Sequence, residues 1–146
     1  MSQTQARKQR LRNLQQRYRL YVPYERHKCS YCGDSADNLD HCPALYDLEG
    51  LGYDEFTASG GRCLLLPSCR RCNGWLGNKP LRTPQARKQY IAERLEEYWR
   101  KSFAAPKWSQ DELDQLGPVL GQYVRTAEAF SEFLRRRLSH ARFGPI

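Results

Sequence analysis

Cys29-Ser30-Tyr31-Cys32-Gly33 and Cys69-Arg70-Arg71-Cys72-Asn73 decide the reading of this 146-residue chain. Each is a C-x2-C pair, and residues 33–68 separate them. A two-residue gap lets one tight turn aim both thiolates at one ion, and two such turns complete the tetrahedral four-sulfur shell that Zn2+ prefers. Paired redox dithiols are the competing use of the same spacing. Structural zinc suits a core this small, since apparent zinc binding energies of about 10 to 16 kcal/mol match the stability of a whole domain.

Working outward, the turn formers Asp34-Ser35-Ala36-Asp37-Asn38 lead into Leu39-Asp40-His41-Cys42-Pro43. Residues 39–42 and 62–66 are the good strand candidates between the pairs, and the stretch joining them, with Gly50, Gly52, Gly60 and Gly61, reads as a long loop. The second pair opens a short helix from Arg70 to about Leu76 that places Asn73 directly after a cysteine. The order is therefore cysteine turn, strand with Asp-His, loop, strand, cysteine turn, helix with Asn.

Cys29-x2-Cys32, Leu39-Asp40-His41 and Cys69-x2-Cys72-Asn73-x2-Leu76-Gly77 resemble the zinc-containing HNH, or His-Me finger, nucleases. The Cys-x2-Cys-Asn-x2-Leu-Gly block is most similar to the phage recombination endonuclease VII branch, and Asp40-His41-x-Pro43 to ordinary HNH proteins. The resemblance covers about residues 26–80. It implies an α+β protein with a small ββα-metal zinc nuclease core, in which Cys29, Cys32, Cys69 and Cys72 hold one structural zinc. It further implies His41 as the general base, with Asp40 and Asn73 as catalytic ligands of Mg2+ or Mn2+. The implied activity is metal-dependent hydrolysis of DNA phosphodiester bonds, on branched DNA such as a four-way junction or as duplex nicking, in a phage or mobile element.

The residue types suit that chemistry. An imidazole titrating near neutral pH activates water, and a hard cation on oxygen ligands neutralises the leaving oxygen. Two departures stand out. Arg62-Cys63-Leu64-Leu65-Leu66-Pro67 lacks the Asn that many HNH proteins carry on the second strand, and the Lys often found after the Cys-Asn motif is displaced, with Lys79 further on. Cys42 and Cys63 either join His27 or His41 around another metal or serve as small buried hydrophobes.

The flanks carry the charge. The chain has 24 Lys+Arg, 16 Asp+Glu and a formal charge of +8, divided as +7 over residues 1–28, −3 over 29–80 and +4 over 81–146. An anionic partner is expected to be gripped by the flanks. Residues 1–25 form a basic N-terminal segment, with a helix expected over 4–20 carrying Arg7, Lys8, Arg10, Arg12, Arg17 and Arg19 as phosphate contacts beside a stripe of Leu11, Leu14 and Tyr18. Lys79 is a further phosphate candidate. Tyr18, Tyr21, Tyr24 and Tyr31 suit either base stacking or core packing.

Residues 81–146 form a C-terminal helical region. Thr83-Pro84 starts a helix to about Phe103 with Ile91, Leu95, Tyr98 and Trp99 on its apolar face and Glu96–Arg100 and Glu97–Lys101 as i,i+4 pairs. Ser109 to Glu112 is a capping box, and a long helix from Pro118 to about Arg142 is expected to bury Leu120, Tyr123, Val124, Ala127, Phe130, Leu134 and Leu138. Arg135-Arg136-Arg137 complements the macrodipole near its end. The surplus of apolar side chains here points to a homodimer, with folding back on the core as the alternative.

Eighteen Leu against three Val and two Ile argue against a large sheet or barrel. The longest aliphatic run, Leu64-Leu65-Leu66, stops at Pro67, so no membrane partner is expected, and the basic N-terminus lacks a secretory h-region. The expected location is cytoplasmic. Two other function classes compete: a catalytically silent zinc protein that binds nucleic acid, and a protein-binding adaptor.

Overall fold

The computed structural model describes residues 1–103 and 108–146, with side chains to Arg100 and from Trp108 onward. It is a mixed α+β protein, mostly helical, with a three-stranded sheet among the described residues. In chain order the elements are α1 (Gln3–Gln15), β1 (Arg19–Leu20), β2 (Asn38–Cys42), α2 (Leu45–Leu51), α3 (Tyr53–Ala58), β3 (Leu64–Ser68), α4 (Arg70–Leu76), α5 (Pro84–Phe103), α6 (Gln110–Gln115) and α7 (Pro118–Phe143).

The sheet runs β1-β3-β2. β2 and β3 are antiparallel, with Asp40 opposite Leu66 and His41 opposite Leu65, and β1 lies parallel to β3 with Arg19 opposite Leu64. Pro67 is tolerated in the central strand because β1 accompanies β3 only over Leu64 and Leu65, so the missing N–H faces no third strand. Side chains alternate across the sheet. Leu64, Leu66 and Cys42 join the four paired cysteines, Ile91 and Leu95 in one cluster, while Leu65 packs with Tyr18, Leu48, Phe56 and Cys63 in another.

Three elements differ from the sequence reading. The N-terminal helix ends at Gln15, not near residue 20, because the free edge of β3 captures the chain: Arg19 N–H donates to Cys63 O and Tyr21 N–H to Leu65 O. The expected loop after Pro43 contains α2 and α3, hinged at Gly52, whose φ of +83° only glycine adopts readily. Leu48 and Phe56 on these helices cover the second sheet face. The second strand lies over Leu64–Ser68, two residues later than expected.

The starts of α6 and α7 agree with their sequence signals, Ser109 forming a capping box with Glu112 reaching back and Pro118 sitting at the first turn of α7; α1 opens on a further capping box, Ser2 with Gln5, that the sequence reading does not include. The faces agree less well. On α5, Ile91 and Leu95 are fully buried but Tyr98 is 65% exposed; Glu96 pairs with Arg142 and Glu97 with Arg94, and the Lys101 side chain lies outside those described. On α7, Leu134 is buried as expected and Val124 and Leu138 are half-buried, but Leu120, Tyr123, Ala127 and Phe130 are exposed, while Gly121, Ser131, Arg137 and Ala141 are also buried. α7 packs on α5, with Ala141 in the cluster of Ile91, Ala92 and Leu95, and Gly121 lies against Leu113 O of α6. No helix among the described residues is long and apolar enough to cross a membrane.

Candidate metal centre and flanking residues

The four paired cysteines come together. The Sγ atoms of Cys29, Cys32, Cys69 and Cys72 all lie within 4.8 Å of one another, and each residue is buried. Cys32 and Cys69 approach to 3.8 Å, the separation that a tetrahedral shell with Zn–S near 2.3 Å requires, roughly 3.8 Å, and far from the roughly 2.05 Å of a disulfide. The first pair sits on a tight turn in which Gly33 N–H donates to Cys29 O and Cys29 N–H to Asp34 O. Gly33 holds a φ of +76°, and a Cβ there would meet the His140 ring at 2.9 Å, so a side chain is excluded twice over. Ser30 N–H donates to Pro67 O, pinning this turn to β3. The second pair is the start of α4: Cys69 is its N-cap, with Sγ accepting from Cys72 N–H at 3.4 Å.

The donor set fits a metal ion. Four buried thiols whose sulfurs lie within 4.8 Å of one another are the soft donor set that Zn2+ takes. Arg137 is buried against the sulfurs, with Nη2 and Nε donating to Cys32 Sγ at 3.1 and 3.3 Å and Nη2 to Cys69 Sγ at 3.8 Å. Among the described residues no carboxylate pairs with it, and its hydrogen-bond acceptors are these sulfurs. The sequence reading gives Arg137 to the helix dipole and misses its bonds to sulfur.

Asp40 and His41 part company. Consecutive strand residues face opposite sides of a sheet. Asp40 turns inward, where Arg87 Nη1 donates to its two oxygens at 3.1 and 2.9 Å and Tyr31 Oη donates to Oδ2 at 2.5 Å. Arg87 is completely buried and also donates from Nε to Leu81 O, leaving Nη2 without a partner. Burial raises the Asp40 pKa, opposed by Arg87 and by the Tyr31 hydroxyl. As placed, this carboxylate is occupied by a guanidinium and a phenol.

His41 lies on the other side, edge-on to Tyr18 with ring centroids 4.8 Å apart. Its Nε2 is buried with no hydrogen-bond partner. Burial, then the nearby Arg87, lowers its pKa, so the imidazole is neutral at neutral pH. Asn73 is half-buried in the first turn of α4, its N–H donating to Cys69 O.

The basic arm is exposed, and part of it is engaged within the chain. Arg7 pairs with Glu49 at 3.0 Å and lies over the Tyr46 ring, and Arg17 lies over Tyr53. Lys8, Arg10, Arg12 and Arg19 are exposed, and α1 buries no residue. Lys79 Nζ donates to Trp75 O and sits over Tyr90. Cys42 and Cys63 are buried in the two different core clusters, His27 is paired with Glu25, and the four paired cysteines form the sole cluster of metal-binding groups among the described residues. Burial pushes the Cys42 thiol up to about 12, so it acts as a small hydrophobe.

No protein-family model, curated protein or solved structure matches the chain. The likeness to HNH nucleases therefore rests on the residues themselves.

Proposed function

We propose that the chain is a DNA endonuclease of the HNH type, built around one structural zinc per chain in the Cys29, Cys32, Cys69 and Cys72 shell. The observation that carries this reading is His41. It is a neutral imidazole with an unpartnered nitrogen, on a strand that leads through β3 into a cysteine-anchored helix bearing Asn73. In this reading His41 takes a proton from the attacking water and Asn73 orients groups from the first turn of α4. Mg2+ or Mn2+ supplies charge neutralisation at the leaving oxygen when bound. For Asp40 to join Asn73 as a ligand, its oxygens must exchange Arg87 and Tyr31 for the ion.

That requirement favours a second reading, a zinc protein that binds nucleic acid without cutting it. Incubating the purified chain with supercoiled plasmid and Mg2+ or Mn2+ separates the two. Nicked circles support the nuclease; salt-sensitive binding without cleavage under either ion leaves the binding protein, and absence of both leaves an adaptor.

In either nucleic-acid reading the exposed Lys8, Arg10 and Arg12 meet phosphates. Replacing all three with Gln should weaken binding to duplexes of any sequence and flatten the log-log salt dependence by about 0.9 for each phosphate no longer neutralised. An unchanged slope assigns α1 a purely structural role.

The proposal includes a homodimer acting on two strands of branched DNA. Val119, Leu120 and Tyr123 on α7 are 87%, 52% and 73% exposed, an apolar strip that a second copy would cover. Light scattering over a concentration series, with and without a four-way junction, should show the dimer mass. A monomer under both conditions, nicking linear duplex as readily as the junction, removes this part.

A further inference from the structure

Arg137 stands out because nothing in the nuclease reading uses it. It is 4% exposed, lies 105 residues beyond Cys32, and directs its hydrogen bonds to sulfur alone. Its guanidinium also lies 5.5 Å from the Phe133 centroid on α7 and 6.0 Å from that of Trp99 on α5. Burying a guanidinium against neutral thiols is strongly unfavourable, whereas a divalent ion with four thiolates carries two excess negative charges. Lys88 on α5 is a second buried cation, its Nζ donating to Pro145 O at 2.9 Å. Buried cations thus come from both α5 and α7, and Arg137 is the one bonded to sulfur.

We propose that Arg137 is a positioning residue of the metal centre, and that the centre in turn holds α7 in place. Its N–H groups stabilise Cys32 and Cys69 as thiolates and slow loss of the ion. By linkage, the ion stabilises the docking of α7 on α5 by the same free energy. The C-terminal helix is therefore part of the metal site, although no ligand comes from it. This rests on the zinc reading and is independent of catalysis.

Zinc release from the full-length protein into a chromophoric chelator tests it. Arg137→Met should lose zinc 10- to 100-fold more readily than the parent, the usual size of an outer-partner effect. In cobalt-substituted protein the same variant should shift the sulfur-to-cobalt charge-transfer band. Leu134→Ala, which removes a fully buried side chain from the same helix without touching sulfur, should leave that band in place. Arg137→Lys keeps the charge with fewer donors and should fall between; it serves as the test variant if Arg137→Met does not fold. In the parent, chelation should raise amide exchange over residues 131–143. Zinc present but released at the parental rate from the Met or Lys variant overturns the proposal, as does a Leu134→Ala protein that shows the same band shift. Folded, reduced parent protein without zinc overturns the zinc reading itself, and this proposal with it.

Discussion

Purified protein should contain one zinc per chain, and Cys69→Ser should lose both the metal and the cooperative fold. The four paired cysteines are not appended to the core but sit inside it, in the same cluster as Leu64, Leu66, Leu76, Ile91 and Leu95. Removing the ion leaves four buried thiols and the Arg137 guanidinium without their counter-charge. The expected loss, on the order of 10 kcal/mol, equals or exceeds the usual stability of a domain this size. Serine at position 69 isolates the metal's part, since it is itself a favoured N-cap and preserves the Cys72 N–H bond that begins α4. Cys63→Ala, in the other core cluster, is the control and should keep its zinc. Elemental analysis with thermal melts followed by near-UV dichroism of Trp75 and Trp99 reads both variants. A zinc-free Cys69→Ser protein that melts with the parental transition would show that the metal does not hold the core together.

The four-cysteine cluster is legible in the sequence because its information is local: two-residue gaps, a glycine after the first pair and an N-cap position in the second. Capping boxes and first-turn prolines are local in the same way, and the starts of α6 and α7 follow from them. What the sequence hides depends on partners far along the chain. β1 has only two residues and exists because β3, more than forty positions later, offers a free edge. The buried face of α7 is hidden because Leu120, Tyr123 and Phe130 make an apolar stripe as good as the real one, and only the cysteine cluster gives Arg137 a reason to turn inward. The separation of Asp40 from His41 is available earlier: once residues 39–42 are a strand, neighbours must face opposite sides. The family resemblance draws the two into one site, while the identity of Asp40's partner, Arg87, is a tertiary fact with no local signal.

His41→Ala and Asp40→Ala should both reduce plasmid cleavage, for different reasons that a stability measurement separates. His41 Nε2 makes no hydrogen bond in the fold, so its removal forfeits ring packing against Tyr18 and strands no charge. Loss of a positioned base costs about 10²- to 10⁴-fold in rate. The variant should therefore bind DNA as the parent does, melt within a few degrees of it, and nick supercoiled plasmid at least about a hundredfold more slowly. Asp40→Ala leaves Arg87 fully buried without its carboxylate, a loss of about 3 to 5 kcal/mol in folding stability, so its inactivity by itself says nothing about a cation. Asp40→Asn retains the shape and hydrogen-bonding oxygen while removing the charge, and Asn73→Ala leaves the Asp40–Arg87 pair untouched. If cleavage requires Asp40 as a metal ligand, Asp40→Asn and Asn73→Ala should be rescued in part by raising Mn2+, whereas a purely structural Asp40 gives a defect that follows the melting curve and ignores the ion. His41→Ala protein that cuts at the parental rate removes His41 as the base, and with it the observation on which the nuclease reading stands.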